Sequence, residues 1–466
     1  MSSVITRFPP SPTGLLHVGS ARTALFNYLL AKKEGGKMIL RFEDTDKTRS
    51  KKEFEENIFS GLEWLGMSSS EVFHQSERTL VYRKYLEKLL EENKAYYSDE
   101  SKFTEFKNES ESEDESNEEV LLDAPLRVIR LRNPNKVINF SDVVRGSITI
   151  DTTELGDFIL ARSIEEPLYH FAVVVDDYEM EVTHIVRGED GIYNTPRQIL
   201  IQEALGAPRP IYCHIPFVLG KDRTKLSKRH GAVSVNEYRA LGILPDAFLN
   251  YLALLGWNPG TDREIFTRND LIEEFSLSKV QKSGAIFDEE KLRWINREHL
   301  RTLTKVDFKK LVLEWLPKEV QSLSEWSEDR LDSFLPDLKE RIYVLGDIVS
   351  LFNSGEFSHI FDKPSFDLGL LIPKKGETDK KIIASYLEHI ITSLTTIDSN
   401  KAFTKESVKE TMWDYATEKG RGNILWPMRV ALSGKEKSQD PFTLSEILGR
   451  DETIKRLQSA LSKLKT

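Results

Sequence analysis

Cysteine is almost missing from this chain: Cys213 is the only one in 466 residues. That count excludes an intramolecular disulfide framework and a zinc site built on cysteine pairs, and Cys213 reads as a small buried hydrophobe. Long apolar runs are missing too. No stretch reaches the 18 or so apolar residues that a membrane-spanning helix needs. The opening "MSSVITRFPPSP" has neither the charged start nor the apolar centre of a signal peptide, so no membrane partner is expected and the cytoplasm is the expected compartment. Positive charge is not in excess either. The formal net charge is -10, which by itself argues against a phosphate-binding surface. Seven of the acids, however, lie in one tract, "NESESEDESNEE" at 108–119, which reads as a solvated, partly disordered loop. Without it the body of the protein carries only about -3, and a near-neutral body can still present a basic stripe.

What is present is an ordinary globular composition, 39% apolar over 466 residues, enough for roughly three or four domains. Short buried strands at 4–8 ("VITRF") and 37–42 ("KMILRF") flank a predicted helix over about 18–32. Ala21, Ala24, Leu25, Tyr28 and Leu29 give that helix its apolar face, and Gly35 and Gly36 end it. A strand-helix-strand unit is the building block of a parallel sheet. Two helical patterns follow, then the acidic tract, then strand-like "RVIRLR", "VINFSDVVRGSITI" and "DFILARS". Sheet character is expected again over "YHFAVVVDDYEMEVTHIVRGED", followed by a helix near "TPRQILIQEALG". From about residue 233, and almost without exception from 302 to 466, the periodicity is helical.

Two segments carry chemistry. In "RFPPSPTGLLHVGS" the prolines stiffen the exit from the first strand, Gly14 lets the loop turn, and His17 and Gly19 open the helix. The N–H groups of a helix start after the first strand favour phosphate, and Gly19 would let a flat ring approach the backbone. In "KDRTKLSKRHGA" five basic side chains, Lys221, Arg223, Lys225, Lys228 and Arg229, fall between Gly220 and Gly231. That segment reads as a mobile loop able to close over a triphosphate. Either segment alone is compatible with a plain turn or a solvated basic loop.

Together, "PSPTGLLHVGS" and "KLSKR" resemble the two signature motifs of class I aminoacyl-tRNA synthetases. "RFEDTD", "YHFAVVVDD" with "RGED", and the late "WPMRVALSG" narrow the resemblance to the bacterial-type glutamyl-tRNA synthetase family. The resemblance implies an interrupted Rossmann-type parallel-sheet catalytic domain in two halves, 1–95 and 169–232. Between them it implies a mixed α/β insertion for the acceptor end, 96–168. A helical connective domain, 233–301, and an all-helical anticodon-binding domain, 302–466, would follow. It places glutamate on Arg7, Ser11, Glu43, Tyr169 and Arg187, and ATP on His17, Gly19, Lys225, Ser227 and Lys228. Two arginines and one glutamate suit a substrate with two carboxylates and an ammonium. His17, Gly19, Lys225 and Lys228 would carry catalysis, with Mg2+ accompanying ATP. The implied partners are tRNA(Glu), with tRNA(Gln) left open, and the implied state is a monomer. Arg421, Trp426 and Arg429 are candidate anticodon contacts.

The pattern departs from the family in two places. Several relatives have a cysteine-based zinc site where this chain reads "AYYSDESKFTEF", which has no cysteine, so zinc is not expected. "KLSKR" stands in place of the strict "KMSKS" and keeps both lysines. A glutaminyl enzyme would have β-barrels after residue 302, a shorter paralogue acting on a modified tRNA base would lack the C-terminal half, and a silent RNA-binding derivative would have no need of intact His17, Gly19, Lys225 and Lys228.

Overall fold

The computed structural model describes residues 3–46, 48–69, 71–104, 119–227, 234–398 and 402–465, with the side chains of 101–104 and 119–126 left aside. The acidic tract, apart from the backbone of Glu119, lies outside the described residues, and so do Lys228 and Arg229. The chain forms two compact units, 1–299 and 300–466.

In the first unit β1 (Ile5–Phe8), α1 (Val18–Lys33) and β2 (Lys37–Phe42) form the expected strand-helix-strand unit. β1 and β2 pair in parallel from Ile5 opposite Lys37 to Phe8 opposite Leu40. After α2 (Lys52–Trp64) a short β3 (Val72–His74), too brief to show a pattern in the sequence, extends the parallel sheet beside β2. The turn from α1 to β2 explains "GG": Gly35 has φ +65°, and a Cβ on Gly36 would lie 1.8 Å from the Val4 carbonyl oxygen. α1 is buried nearly all round, not on one face; even Arg22 and Asn27 are buried. Asn27 donates to the Val186 carbonyl at 3.0 Å, fastening the helix under the far half of the sheet.

α3 (Thr79–Glu91) leads into β4 (Ala95–Thr104) and β5 (Glu119–Leu131), then β6 (Val137–Asp142), β7 (Gly146–Asp151), β8 (Ile159–Ser163) and β9 (Glu166–Pro167). The described part of this insertion is itself strands and a 3-10 turn. The expected mix of helix and strand within 96–168 is not found among its described residues: the helices that pack on it, α3 and α4 (Tyr169–Glu179), lie outside those bounds and share one core with Ile129, Leu131, Leu160 and Ala161.

α4 corrects the sequence reading, which took "YHFAVVVDDY" as sheet. The helix tolerates three β-branched residues in a row because Val173, Val174 and Val175 are all essentially buried in it. Burying each valine contributes about 1.5–3 kcal/mol, whereas its helix-propensity penalty is a few tenths up to about 0.7 kcal/mol. The strand is only β10 (His184–Gly188), which after α5 (Thr195–Leu205) pairs in parallel with β11 (Ile211–Ile215). The two sheet halves meet where the Thr183 N–H donates to the Ile5 carbonyl at 2.9 Å. The β6–β7 hairpin of the insertion joins β11 at a single bridge, Asp142 opposite Tyr212.

β12 (Val218–Leu219), α6 (Val235–Ala240), α7 (Pro245–Leu254), α8 (Arg268–Glu274), β13 (Ala285–Ile286) and α9 (Glu289–Thr302) complete this part of the chain. In the second unit, α10 (Lys305–Trp315) to α17 (Pro441–Lys465) are all helical, and no strand occurs among the described residues. The elements between are α11 (Glu328–Arg341), α12 (Gly346–Asn353), α13 (Ser358–Phe361), α14 (Lys380–Thr395), α15 (Lys405–Lys419) and α16 (Arg421–Ser433). Phe334, Phe352, Phe357 and Phe361 pack ring against ring between α11, α12 and α13. No described helix is long and apolar enough to cross a membrane.

Candidate active site

The proline loop after β1 is stitched to the exit of β2. Glu43 N–H donates to the Pro10 carbonyl at 3.0 Å and Lys51 N–H to that of Pro12 at 2.9 Å. Glu43 is thereby held beside the segment that carries Arg7 and Ser11. Gly14 contributes nothing of the kind expected: its φ is not left-handed and an added Cβ would meet no atom within 4 Å.

Beneath this loop is a buried charge cluster. The Arg7 Nε donates to the Asp177 carboxylate at 3.2 Å, and the Arg41 Nη1 donates to the same carboxylate at 2.7 Å. Arg41 Nη2 reaches Glu43 at 3.2 Å. Asp176, next in α4, is fully buried and accepts from Gln75, Arg78 and Tyr82 at 2.7–2.9 Å. Burial lowers the pKa of Arg7, with Asp177 opposing. Burial would do the same to Arg41, but Asp177, Asp176 and Glu43 more than reverse it. Burial would raise the Asp177 carboxyl, yet the two arginines hold it below its ordinary value. Glu43 has less help: burial pushes it up to about 7 against the pull of Arg41 and Arg7. The Tyr169 phenol, raised by burial and by Glu43, feels Arg187, Arg7 and Arg41 as well, so it borders the same space.

The five glutamate positions therefore fare unequally. Arg7, Glu43, Tyr169 and Arg187 share one electrostatic environment, and Ser11 is half-buried in the loop above. Two buried donors in the cluster make no hydrogen bond, and one of them, Arg41 Nε, still faces the Asp176 carboxylate at 3.8 Å. Arg7 Nη1 is buried without a hydrogen-bond partner, a state that costs about 1–3 kcal/mol unless a ligand relieves it. Arg187 spends Nε on His214 at 3.0 Å and Nη2 on the Gly191 carbonyl and the Thr195 hydroxyl at 2.9 and 2.8 Å.

Sequence reasoning passed over Arg41, Asp176, Asp177 and His214. The available signal was charge inside runs that are otherwise buried, "ILRF" and "AVVVDD", since unpaired charges are rarely buried.

At the other side of the loop His17 is the N-cap of α1, its Nδ1 accepting from Ser20 N–H at 3.2 Å. Part of the ring is open to solvent, but it lies deep enough among protein atoms for burial, reinforced by Lys225 and opposed by Asp190, to push its pKa down to about 4. A ring so shifted is neutral at pH 7, and its Nε2 hydrogen-bonds the Ser20 hydroxyl at 2.8 Å. Gly19 faces it: a Cβ there would stand 3.3 Å from the ring. Lys225 shares this field and lies over Phe217, 5.0 Å from the ring centre. The chain returns at Ser234, which bridges His17, with Val235 N–H donating to the Leu16 carbonyl at 2.9 Å. The basic segment is not wholly a free loop. Gly220 N–H bonds the Thr224 carbonyl at 2.8 Å and Leu226 N–H that of Val218 at 2.9 Å, so 218–226 is a hydrogen-bonded turn. Ser227 follows, half-buried, and Lys228 lies outside the described residues.

In the second unit Arg421 stacks on Trp413 at 4.5 Å and Arg429 on Trp426 at 5.0 Å. The Trp426 indole N–H is already spent on the Leu370 carbonyl at 2.8 Å. Trp426 is thus anchored in the helix packing, while Trp413 is an aromatic that the sequence reading did not single out.

Comparison with known proteins agrees with this layout. Residues 3–294 match the family described as tRNA synthetases class I (E and Q), catalytic domain, and residues 307–461 the family described as anticodon binding domain. The chain is 41% identical to a glutamate-tRNA ligase of Desulfosudis oleivorans, over 100% of this chain and 99% of that one. It is 39% identical to the glutamate-tRNA ligase of Heliobacterium modesticaldum, over 99% and 97%. A crystal structure of a glutamate tRNA ligase from Elizabethkingia meningosepticum, in complex with its amino acid, superimposes with a TM-score of 0.80 at 31% identity, covering 99% of this chain and 100% of that one. Full-length similarity of this kind, on a fold whose first unit holds a parallel nucleotide-binding sheet and whose second is helical, shows that the chain belongs to the glutamate-tRNA ligase family of class I aminoacyl-tRNA synthetases.

Proposed function

We propose that this chain charges tRNA(Glu) with L-glutamate at the expense of ATP, as a cytoplasmic monomer, with tRNA(Gln) the second acceptor to be tested. The observation that carries the reading is the charge balance of the buried cluster. Four guanidinium groups, Arg7, Arg41, Arg78 and Arg187, stand against three carboxylates, Glu43, Asp176 and Asp177, leaving +1 when all are ionised, with Nη1 of Arg7 lacking a hydrogen bond. Glutamate, with two carboxylates and one ammonium, carries -1 and closes that balance. Glutamine carries none and leaves a buried positive charge uncompensated, which supplies discrimination.

In this reading Arg7 and Arg187 take carboxylates, Glu43 takes the ammonium, and Ser11 and Tyr169 close the pocket. His17 and Gly19 receive ATP at the α1 N-terminus, while Lys225, Ser227 and Lys228 neutralise its phosphates. The α-carboxylate attacks the α-phosphorus and pyrophosphate leaves; a hydroxyl of the terminal ribose of the tRNA then attacks the glutamyl carbonyl and AMP leaves. Neither step needs a protein nucleophile, so positioning and charge stabilisation are what the residues provide. Among the described residues no group of three His, Cys, Asp or Glu side chains could hold a metal ion. Mg2+ is proposed to accompany ATP, where it would neutralise phosphate charge. The domain assignment follows: 1–95 and 169–232 activate, 96–168 takes the acceptor end, 233–301 contacts the stem, and 302–466 reads the anticodon, with Arg421, Trp426 and Arg429 among its contacts.

Aminoacylation assays with glutamate and glutamine, each on tRNA(Glu) and tRNA(Gln), test the proposal. Glutamate transfer to tRNA(Glu), and no transfer of glutamine, is expected; failure to transfer glutamate to either RNA overturns it.

A further inference from the structure

Arg187 is held by a chain of buried groups that the assigned reaction does not use. Asp142, the last residue of β6 in the insertion, is 4% exposed, and His214, next to last in β11, and Thr195, at the start of α5, are fully buried. Asp142 Oδ2 accepts the His214 Nδ1–H at 2.7 Å and the His214 backbone N–H at 3.0 Å. Its Oδ1 accepts the N–H groups of Val144 and Arg145 at 2.9 and 2.8 Å. A carboxylate so fully occupied only accepts, so Nδ1 carries the imidazole proton and Nε2 presents a lone pair. That lone pair meets the Arg187 Nε–H at 3.0 Å. Thr195 and the Gly191 carbonyl take Nη2, and a Cβ on Gly191 would stand 2.3 Å from the Arg187 Nε, so the guanidinium lies flat on that glycine. Three of the five N–H donors are consumed on one edge, and the pair on Nη1, which makes no hydrogen bond among the described residues, is turned to the remaining side.

We propose that Asp142, His214 and Thr195 are positioning residues that fix the orientation of Arg187, so that its Nη1 edge meets a substrate carboxylate; this rests on the reading of Arg187 as a glutamate ligand. The chain of bonds also ties a strand of the insertion to the glutamate pocket, so the pocket is not built from the parallel sheet alone. Replacing Asp142 by asparagine keeps the volume but puts an NH2 group where one of its acceptor oxygens stands. If that NH2 faces His214, the imidazole proton moves to Nε2 and two donors oppose each other at Arg187.

The test is steady-state aminoacylation by the full chain, with glutamate and ATP varied separately. Asp142→Asn is expected to raise the KM for glutamate about tenfold, and Thr195→Val about threefold, each with the KM for ATP within about twofold of the unmodified protein. Thr195→Ser, which keeps the hydroxyl, is expected to retain the original glutamate KM. In 15N spectra, His214, identified by its loss in His214→Gln, is expected as the Nδ1–H tautomer. An unchanged glutamate KM in Thr195→Val, a parallel rise of both KM values in both variants, or an Nε2–H tautomer overturns the inference. Arg187→Lys separates the two levels. If it leaves the glutamate KM unchanged, the pocket reading itself fails; if it raises the KM while Asp142→Asn and Thr195→Val do not, only the positioning inference falls.

Discussion

Two buried arginines, one in each unit, are held in different ways. In the helical unit Arg456, 3% exposed, donates Nε to Glu452 at 2.8 Å, Nη1 to the His359 and Leu432 carbonyls at 2.7 Å each, and Nη2 to the Asp362 carbonyl at 3.0 Å. It ties α17 to carbonyls at the ends of α13 and α16 that have no intrahelical partner. In the sheet unit Arg7, 1% exposed, shares one carboxylate with Arg41 and keeps Nη1 unmatched. Burial is equal; satisfaction is not. An arginine whose donors are spent on its own chain holds structure, and one kept short of partners inside a positive cluster is set to bind an anion.

Arg7→Met tests the second half most sharply. Removing one member of a desolvated charge pair costs about 4 kcal/mol of binding, so kcat/KM for glutamate is expected to fall about 1000-fold. The loss of folding stability should be smaller than that of Arg456→Met, because Asp177 keeps Arg41 and the cluster loses repulsion. Arg456→Met is expected to cost about 3 kcal/mol or more in denaturant unfolding, because Glu452 is left buried without its main partner, while kcat/KM for glutamate stays within a few-fold. If the two variants fail to invert in this way, the distinction between satisfied and unsatisfied arginines is wrong.

The pH dependence separates the regions at a smaller scale. Glu43 in the folded state titrates at about 7, above its ordinary 4.5, because of burial. Between those values the folded chain holds a proton that the unfolded chain has lost. Its contribution to stability is therefore complete below about 4.5 and is lost as the pH rises through 7. Binding has the opposite sign. The substrate ammonium requires the carboxylate, so the KM for glutamate should fall by up to tenfold per pH unit on approaching 7 and then level off. Glu43→Gln should abolish that limb, which rate measurements from pH 5.5 to 8.5 would detect. His17, at about 4, adds no limb in this range. The smallest effect is expected at the surface of the helical unit. Arg421→Ala loses a cation–π contact with Trp413, worth about 0.5–1 kcal/mol of stability, and, with Arg421 as a proposed anticodon contact, is expected to raise the KM for tRNA about two- to fivefold and leave that for glutamate unchanged.

Much of this arrangement is legible in the sequence for identifiable reasons. "VITRF" and "KMILRF" with a helix between them read correctly because each is short, apolar and bounded by proline or glycine. The helical second unit reads from periodicity alone. "AVVVDD" does not, since three β-branched residues in a row mimic a strand wherever the burial that stabilises them as a helix is out of view. The loop does turn at 12–14, but without a left-handed backbone or a close approach at Gly14 that would require glycine, whereas Gly191, on which Arg187 lies, carries no local signal.

The sequence by itself determined the family, the order of the catalytic and helical parts, the sheet's first half and the residue types proposed for glutamate and ATP, because motifs and periodicity are local properties of the chain. Only the tertiary structure decided which charges are shared. That Asp177 serves both Arg7 and Arg41, that Arg7 keeps one donor free, and that Asp142 reaches Arg187 through His214 follow from contacts across 170, 136, 72 and 27 residues of chain. Whether a buried charge is satisfied depends on every group within a few ångströms of it, and at such separations only the folded core brings those groups together.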